Sequence, residues 1–183
     1  MYNYKISKYR TKNNNEIINE WTSISDIGKV YNGTQFKYEE YIKKENSYIE
    51  VILMFIKLNN IKKLTIEELE IYNNDKLIYD EYDLQIQNLI KNVKNKIEVK
   101  TSDIELFIRA ILRERIWAKL YSGDELYIHF GYDYYMYIGS KVNSKEEIKQ
   151  IEKMGLVIEK HISPYLWGKV YFDYIEKYSK IRY

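Results

Sequence analysis

Three residue groups in this 183-residue chain have the types and spacing that could do chemistry. The first is Gly28-Lys-Val-Tyr-Asn-Gly33, which opens like a phosphate-binding G-x-x-x-x-G-K-[ST] loop. Thr34 and Gln35 stand where the lysine and the magnesium-binding hydroxyl are required, so the phosphate chemistry is missing. The second is the histidine pair His129 and His161, which lies far outside H-x-x-H or H-E-x-x-H spacing and reads as two structural imidazoles rather than a zinc site. The third is a set of adjacent carboxylates: Glu39-Glu40, Glu67-Glu68, Asp80-Glu81, Asp124-Glu125 and Glu146-Glu147. General acid and base work needs two carboxyls to converge in a cleft with separated pKa values, whereas Glu39/Lys43 and Glu40/Lys44 are i,i+4 pairs of a solvated helix face. No G-x-S-x-G elbow is present.

Two charges interrupt apolar stripes. Glu45 lies three residues after Ile42 and four before Ile49, and Arg115 lies four after Ile111. A carboxylate at such a position must be paired, neutralised or set at the lip of a cleft. The expectation is a structural ion pair or a tyrosine-bonded carboxylate, with a partner-binding cleft or a hydrolase built on Glu45 as alternatives.

The elements that position these groups read as follows. Tyr2, Tyr4 and Ile6 alternate with polar residues, predicting a strand, and residues 11–15 then read as a turn with a second strand over 16–23. Asn32-Gly33 marks another turn. Tyr38, Tyr41, Ile42, Tyr48, Ile49, Ile52, Leu53 and Ile56 form a 3.6-residue stripe, predicting a long amphipathic helix over 36–58 that Asn59-Asn60 ends. Residues 64–72 read as a strand with a helix-like hesitation at Glu67-Glu68, residues 73–76 as a turn, and 83–94 as a short helix or an extended segment. A capping box at Ser102 and Glu105 opens a helix expected to run along Ile104, Ile108, Ile111, Leu112 and Ile116 to about Tyr121. Residues 126–130 and 134–138 flank Gly131-Tyr132-Asp133 as a β-hairpin, with Tyr134 and Met136 on one face of the second strand and Tyr135 and Tyr137 on the other. Ser144 and Glu147 form another box opening a short helix that Gly155 closes. Residues 156–161 follow as a strand, and Ser163-Pro164 starts a last helix or aromatic tail. Mixed helices and strands without βα alternation predict an α+β fold, a single domain over 1–183 with a largely antiparallel sheet packed by long amphipathic helices.

Composition bounds the function. The 29 basic and 27 acidic side chains nearly cancel to a formal +2, so no global field draws the chain to nucleic acid or an anionic membrane. Zero cysteines exclude disulfides and thiolate chemistry. The apolar run Tyr48 to Ile56 is too short to span a bilayer, the first residues lack the apolar core of a signal peptide, and a cytoplasmic location is expected. The 21 tyrosines accompany an excess of isoleucine, lysine and asparagine, which together reflect AT-rich codons. Against that background Tyr127, Phe130, Tyr132, Tyr134, Tyr135 and Tyr137 concentrate beside Asp124, Glu125 and Asp133, with no basic residue between Leu120 and Gly139. Tyrosines stack on single-stranded bases when interleaved with cations; without them the composition favours a protein partner with a basic surface, the alternative being an AT-biased strand whose tyrosines are merely half-buried. A nucleic-acid reading rests instead on the lysine-rich stretch from Lys91 to Lys100.

Four segments carry a family resemblance: 20–29 (EWTSISDIGK), 41–49 (YIKKENSYI), 129–137 (HFGYDYYMY) and 155–159 (GLVIE) leading to Ser163-Pro164-Tyr165. They resemble bacterial immunity proteins of polymorphic and contact-dependent growth-inhibition toxin systems. The resemblance implies a cytoplasmic, non-enzymatic toxin inhibitor, without cofactor or metal, that binds the C-terminal domain of one cognate toxin and blocks its active site or substrate surface. The candidate contact residues are Asp124, Glu125, Tyr132, Asp133 and Tyr134. Because the chain is slightly basic overall, either its acidity is confined to the 124–133 patch or the toxin is not a strongly basic nuclease.

Overall fold

The computed structural model describes residues 1–9, 20–72, 78–143 and 145–166. In chain order the strands are β1 (Tyr2–Ser7), β2 (Val30–Tyr31), β3 (Thr34–Gln35), β4 (Lys63–Ile71), β5 (Glu98–Lys100), β6 (Ile116–Ser122), β7 (Leu126–Phe130), β8 (Met136–Ser140) and β9 (Val157–Lys160). The α-helices are α1 (Tyr38–Leu58), α2 (Glu81–Asn92), α3 (Ile104–Leu112) and α4 (Lys145–Lys153). Seven strands form one antiparallel sheet in the order β5-β4-β6-β7-β8-β1-β9, and β2 and β3 form a separate small hairpin around Asn32-Gly33. The fold is α+β, with helices packed against the sheet.

Strand alternation gives the sheet two chemically different faces. On the helix side Ile66, Leu120, Ile128, Ile138 and Tyr4 align across five strands, and all are buried. The opposite face is aromatic and polar: Tyr121 lies across from Tyr127, and His129, Tyr137, Lys5 and Glu159 form the next row. Tyr127, Tyr137 and Leu166 are buried there with Tyr121, Tyr135 and Tyr165 packed around them. Gly139 is required by this layer, because a Cβ at that position would sit 1.9 Å from the Tyr127 ring, which reaches across it to bond Asn3 Oδ1 at 2.8 Å.

The long helix α1 forms as its stripe predicts. Glu39 and Glu40 occupy its first turn and Lys57 its last, matching the helix dipole. Asn60 ends it with φ +53°, and the Ile61 amide donates to Ile56 O in a Schellman closure. The same device corrects the expectation for α3. Glu114 takes φ +53° and the Arg115 amide bonds Ala110 O, so the helix stops at Leu112 rather than near Tyr121. Beyond it the period changes from 3.6 to 2: Ile116, Ala118 and Leu120 face the helices while Trp117 and Tyr121 do not. The start of α3 also differs, for Asp103 is the N-cap without a side-chain cap bond, and the Ser102 hydroxyl donates to Asp103 instead.

The hesitation in β4 is a β-bulge. Glu68 has φ +51° and the register against β6 slips by one residue between Glu67 and Glu70. That extra residue turns Glu70, paired with Trp117, away from the helix side and onto the aromatic face. Residues 20–23 are not a strand; Ser23 caps a short 3-10 turn over Ile24–Asp26, reciprocated by Asp26. The expected turns over 11–15 and 73–76, residues 16–19, the Ser144 cap and the segment beyond Leu166 lie outside the described residues.

Candidate partner-binding cleft

Glu45, fully buried on α1, meets two guanidinium groups from α3. Arg113 Nε donates to Glu45 Oε2 at 2.9 Å, and Arg109 Nη1 donates to Glu45 Oε1. Arg113 Nη1 also pairs with Asp80 at 2.7 Å and Asp83 at 3.0 Å at the start of α2, and Tyr38 donates to Asp80. The Tyr82 ring lies 4.2 Å beneath the Arg109 guanidinium, whose Nη2 reaches Glu105 at 2.8 Å. Burial alone would raise the Asp80 pKa, but the hydrogen bonds from Arg113 and Tyr38 and the Arg113 charge hold it down at about 2. Glu45 is fully buried with both oxygens bonded to guanidinium groups, and the cluster ties α1, α2 and α3 together. Arg115 is not part of it: it sits in the α3–β6 turn, buried, with Nε and Nη1 lacking hydrogen-bond partners among the described residues.

The two histidines also part. His129 is buried on the aromatic face, with Nδ1 2.8 Å from Ser163 Oγ, Nε2 2.9 Å from Tyr121 OH and its ring stacked on Tyr127. Burial, reinforced by the nearby Lys119 charge, pushes its pKa down to about 3 and keeps it neutral. Ser163 is as buried as its partner, so the Ser–His contact bridges the covering segment to the sheet. His161 is exposed and contacts the Ile162 carbonyl. Among the described residues no three His, Cys, Asp or Glu side chains group to hold a metal.

The five candidate contact residues fall into three environments. Asp124 and Glu125 lie in the β6–β7 turn, each 3.9 Å from Lys141 Nζ. Tyr132 and Asp133 lie at the far end of β7, exposed, with Tyr132 at 85% the most open aromatic described. Tyr134 is not a surface residue: its side chain is 7% exposed and packs edge-on to Trp21, Tyr41 and Tyr48 at 5.1, 6.0 and 4.9 Å. The cause is backbone geometry, since Asp133 and Tyr134 both have positive φ and β8 begins only at Met136. Tyr134 therefore lies in the turn and swings under it, leaving the alternation expected of a strand to start later.

The β7–β8 turn is held from below. Tyr9 OH and Tyr48 OH donate to the Asp133 and Tyr134 carbonyls at 2.7 Å each, and Gly131 N and Tyr135 O close the neck at 2.8 Å. Gly131 permits this neck, for a Cβ there would press to 3.2 Å on both Tyr137 and Tyr165. Beside the turn opens a cleft of about 550 Å³ where β4 ends, β6 begins and β7 ends. Trp117, Phe130, Tyr132, Tyr135, Tyr165 and Tyr72 supply aromatic surface, and Glu70, Glu114 and Asp133 are its charged residues. Among the described residues no lysine or arginine lines it. The Trp117 indole N–H is spent on Phe130 O at 2.9 Å, fixing the ring, and Tyr72 OH lies 3.4 Å from Glu70. The Glu70 and Glu114 charges lie close enough to help burial raise the Tyr72 pKa above its ordinary value.

Sequence reasoning found Tyr132, Asp133 and the buried Tyr134 at this cleft but missed Glu70, Tyr72, Glu114, Trp117 and Tyr165. The bulge and the early end of α3 place the first four, and only the alternation over 116–121 could have signalled the latter. The lysine-rich stretch 91–100 runs from the end of α2 into edge strand β5, without aromatic interleaving. No protein-family model, no curated protein and no solved structure matches the chain.

Proposed function

We propose that this protein is an immunity protein that binds and neutralises a cognate bacterial toxin domain in the cytoplasm, with the cleft beside the β7–β8 turn as its contact surface. The observation that carries the reading is a braced turn presenting an 85% exposed Tyr132 beside an aromatic, acid-edged cleft. Exposed aromatics on a rigid support are efficient anchors, because little conformational entropy is lost on binding. Three of the segments that resemble immunity proteins meet beneath this surface: Trp21 and Tyr48 both pack on Tyr134, and Tyr48 holds its carbonyl. Inhibition then requires only that the anchored partner's active site or substrate surface be covered, and no group of this chain need enter the chemistry. No described helix is long and apolar enough to cross a membrane.

The test is co-expression with the toxin domain encoded by the adjacent gene, followed by isolation of the complex. Protection of the cell and a stable complex are expected. A neighbouring gene that encodes no secreted toxin, or a toxin that kills despite co-expression, overturns the reading.

A further inference from the structure

Two of this chain's buried cations, Lys8 and Arg109, are held in the same way. Lys8 Nζ lies 3.9 Å from the Tyr9 ring centroid and 4.2 Å from that of Trp21, with Glu20 Oε2 at 3.1 Å. Arg109 lies 4.2 Å over Tyr82 while bonding Glu45 and Glu105. Each site combines aromatic surface and carboxylate with a cation from the chain itself. The cleft repeats two of these components, rings from Trp117, Tyr132 and Tyr72 and carboxylates from Glu70 and Asp133, with no cation in its lining among the described residues. Two lysines approach its ring walls from beyond the lining, Lys119 at 5.9 Å from Trp117 and Lys5 at 5.4 Å from Tyr135, and each is paired with its own carboxylate, Glu68 and Glu159.

Resting on the proposed function above, we propose that the cleft receives one cationic side chain of the protein partner, an arginine, stacked on the ring walls and paired with Glu70 and Asp133. Arginine fits better than lysine, since its planar guanidinium stacks on flat rings and its fork of donors can engage a carboxylate with two parallel bonds while remaining charged at any pH the fold survives. A basic toxin surface would thus be recognised by insertion of one residue rather than by overall charge, which the near-neutral balance of this chain does not supply.

The test needs no toxin. Blocked tripeptides Ac-Gly-X-Gly-NH2, with X as arginine, lysine, norleucine or glutamate, are titrated into the ¹⁵N-labelled full chain and followed by amide and indole shifts. Arginine is expected to give saturable shifts at the Trp117 indole and at residues 131–135, with affinity about tenfold above norleucine and above lysine, and glutamate none. Salt and the Glu70→Gln/Asp133→Asn variant should each weaken arginine to the norleucine level, and the unchanged spectrum elsewhere verifies the fold. Equal binding of norleucine, absence of saturable arginine shifts, or shifts that survive Glu70→Gln/Asp133→Asn overturns the proposal. Because co-expression tests immunity and this titration tests the cleft, either can fail alone: arginine binding without toxin protection keeps the site and discards the function, and protection without arginine binding does the reverse.

Discussion

Arg113 and Glu114 are neighbours in the chain and serve opposite regions of the molecule. Arg113 turns into the cluster with Glu45, Asp80 and Asp83, and Glu114 turns to the cleft. Both regions combine carboxylates with tyrosine rings. In the cluster the chain supplies its own guanidinium groups and buries Glu45, Asp83 and Arg113 with them, which makes the arrangement structural. In the cleft the lining carries carboxylates and rings but, among the described residues, no basic one, and Tyr132 stands in solvent. The same residue types therefore form a scaffold in the cluster and, in our proposal, a binding surface at the cleft. The left-handed Glu114 backbone, two residues beyond the end of α3, separates the two outcomes.

The largest effect is expected where that completion is undone. Arg113→Met leaves Glu45, Asp80 and Asp83 without a shared cation, and should cost on the order of 3–5 kcal/mol in urea unfolding. Glu45→Gln should also be strongly destabilising, since two buried guanidinium groups lose their common anion. A loss no larger than a surface pair's would place the cluster in the same energetic class as the cleft's rim and end the contrast.

The second break separates adjacent tyrosines of one turn. Tyr134→Ala removes a buried ring touching Trp21, Tyr41 and Tyr48, and should cost roughly 3–5 kcal/mol of stability, as other large aromatic truncations do. Tyr132→Ala should leave unfolding within about 0.5 kcal/mol of the parent and weaken the partner complex by about 2 kcal/mol or more, read by calorimetry. A combined Tyr132/Tyr134 variant cannot report on binding, because the second change attacks the fold.

Titration gives the third. His129 titrates at about 3 when folded against 6.5 for an ordinary imidazole, so between those values the unfolded chain binds the extra proton. Stability is therefore complete above pH 6.5 and declines as pH falls toward 3. Asp80, held at about 2 against 3.8, adds a further decline as pH falls from about 4 toward 2. Chemical denaturation across pH should show both limbs, with His129→Gln flattening the first and Arg113→Met the second. An unchanged slope in either variant assigns that limb elsewhere.

How much of this was legible in the sequence follows from the range of the interactions involved. Helix α1 and the Gly155 cap, whose φ is +73°, rest on local periodicity and turn chemistry and stood where expected, whereas the β7–β8 hairpin formed with a longer turn, its second strand starting at Met136 rather than Tyr134. Glu45 announced its need for a partner by interrupting an apolar stripe, although nothing local identified Arg109 and Arg113, more than 60 residues away. The end of α3 misled because Ile111, Leu112 and Ile116 continue a helical stripe while Glu114, with no glycine or proline to mark it, adopts the left-handed conformation. The cleft was least legible. Its position depends on a one-residue bulge in β4 and on Tyr165 returning over the sheet, both set by tertiary packing.

The smallest expected effect tests whether the site ends at the turn. Asp124 and Glu125 share Lys141 across 3.9 Å in an exposed turn, so Asp124→Asn or Glu125→Gln should change stability by no more than about 0.5 kcal/mol. They are separated from Tyr132 by the whole of β7, five residues and thus roughly 17 Å of strand. If the partner occupies only the cleft, these substitutions should leave the dissociation rate unchanged and alter the association rate modestly, an effect that salt removes. A slowed association without faster dissociation keeps binding at one end of the sheet. Faster dissociation comparable to that of Tyr132→Ala would instead mean that the partner lies along β7 and grips both turns, and the contrast between a closed cluster and a single open cleft would then give way to a surface running the length of the hairpin.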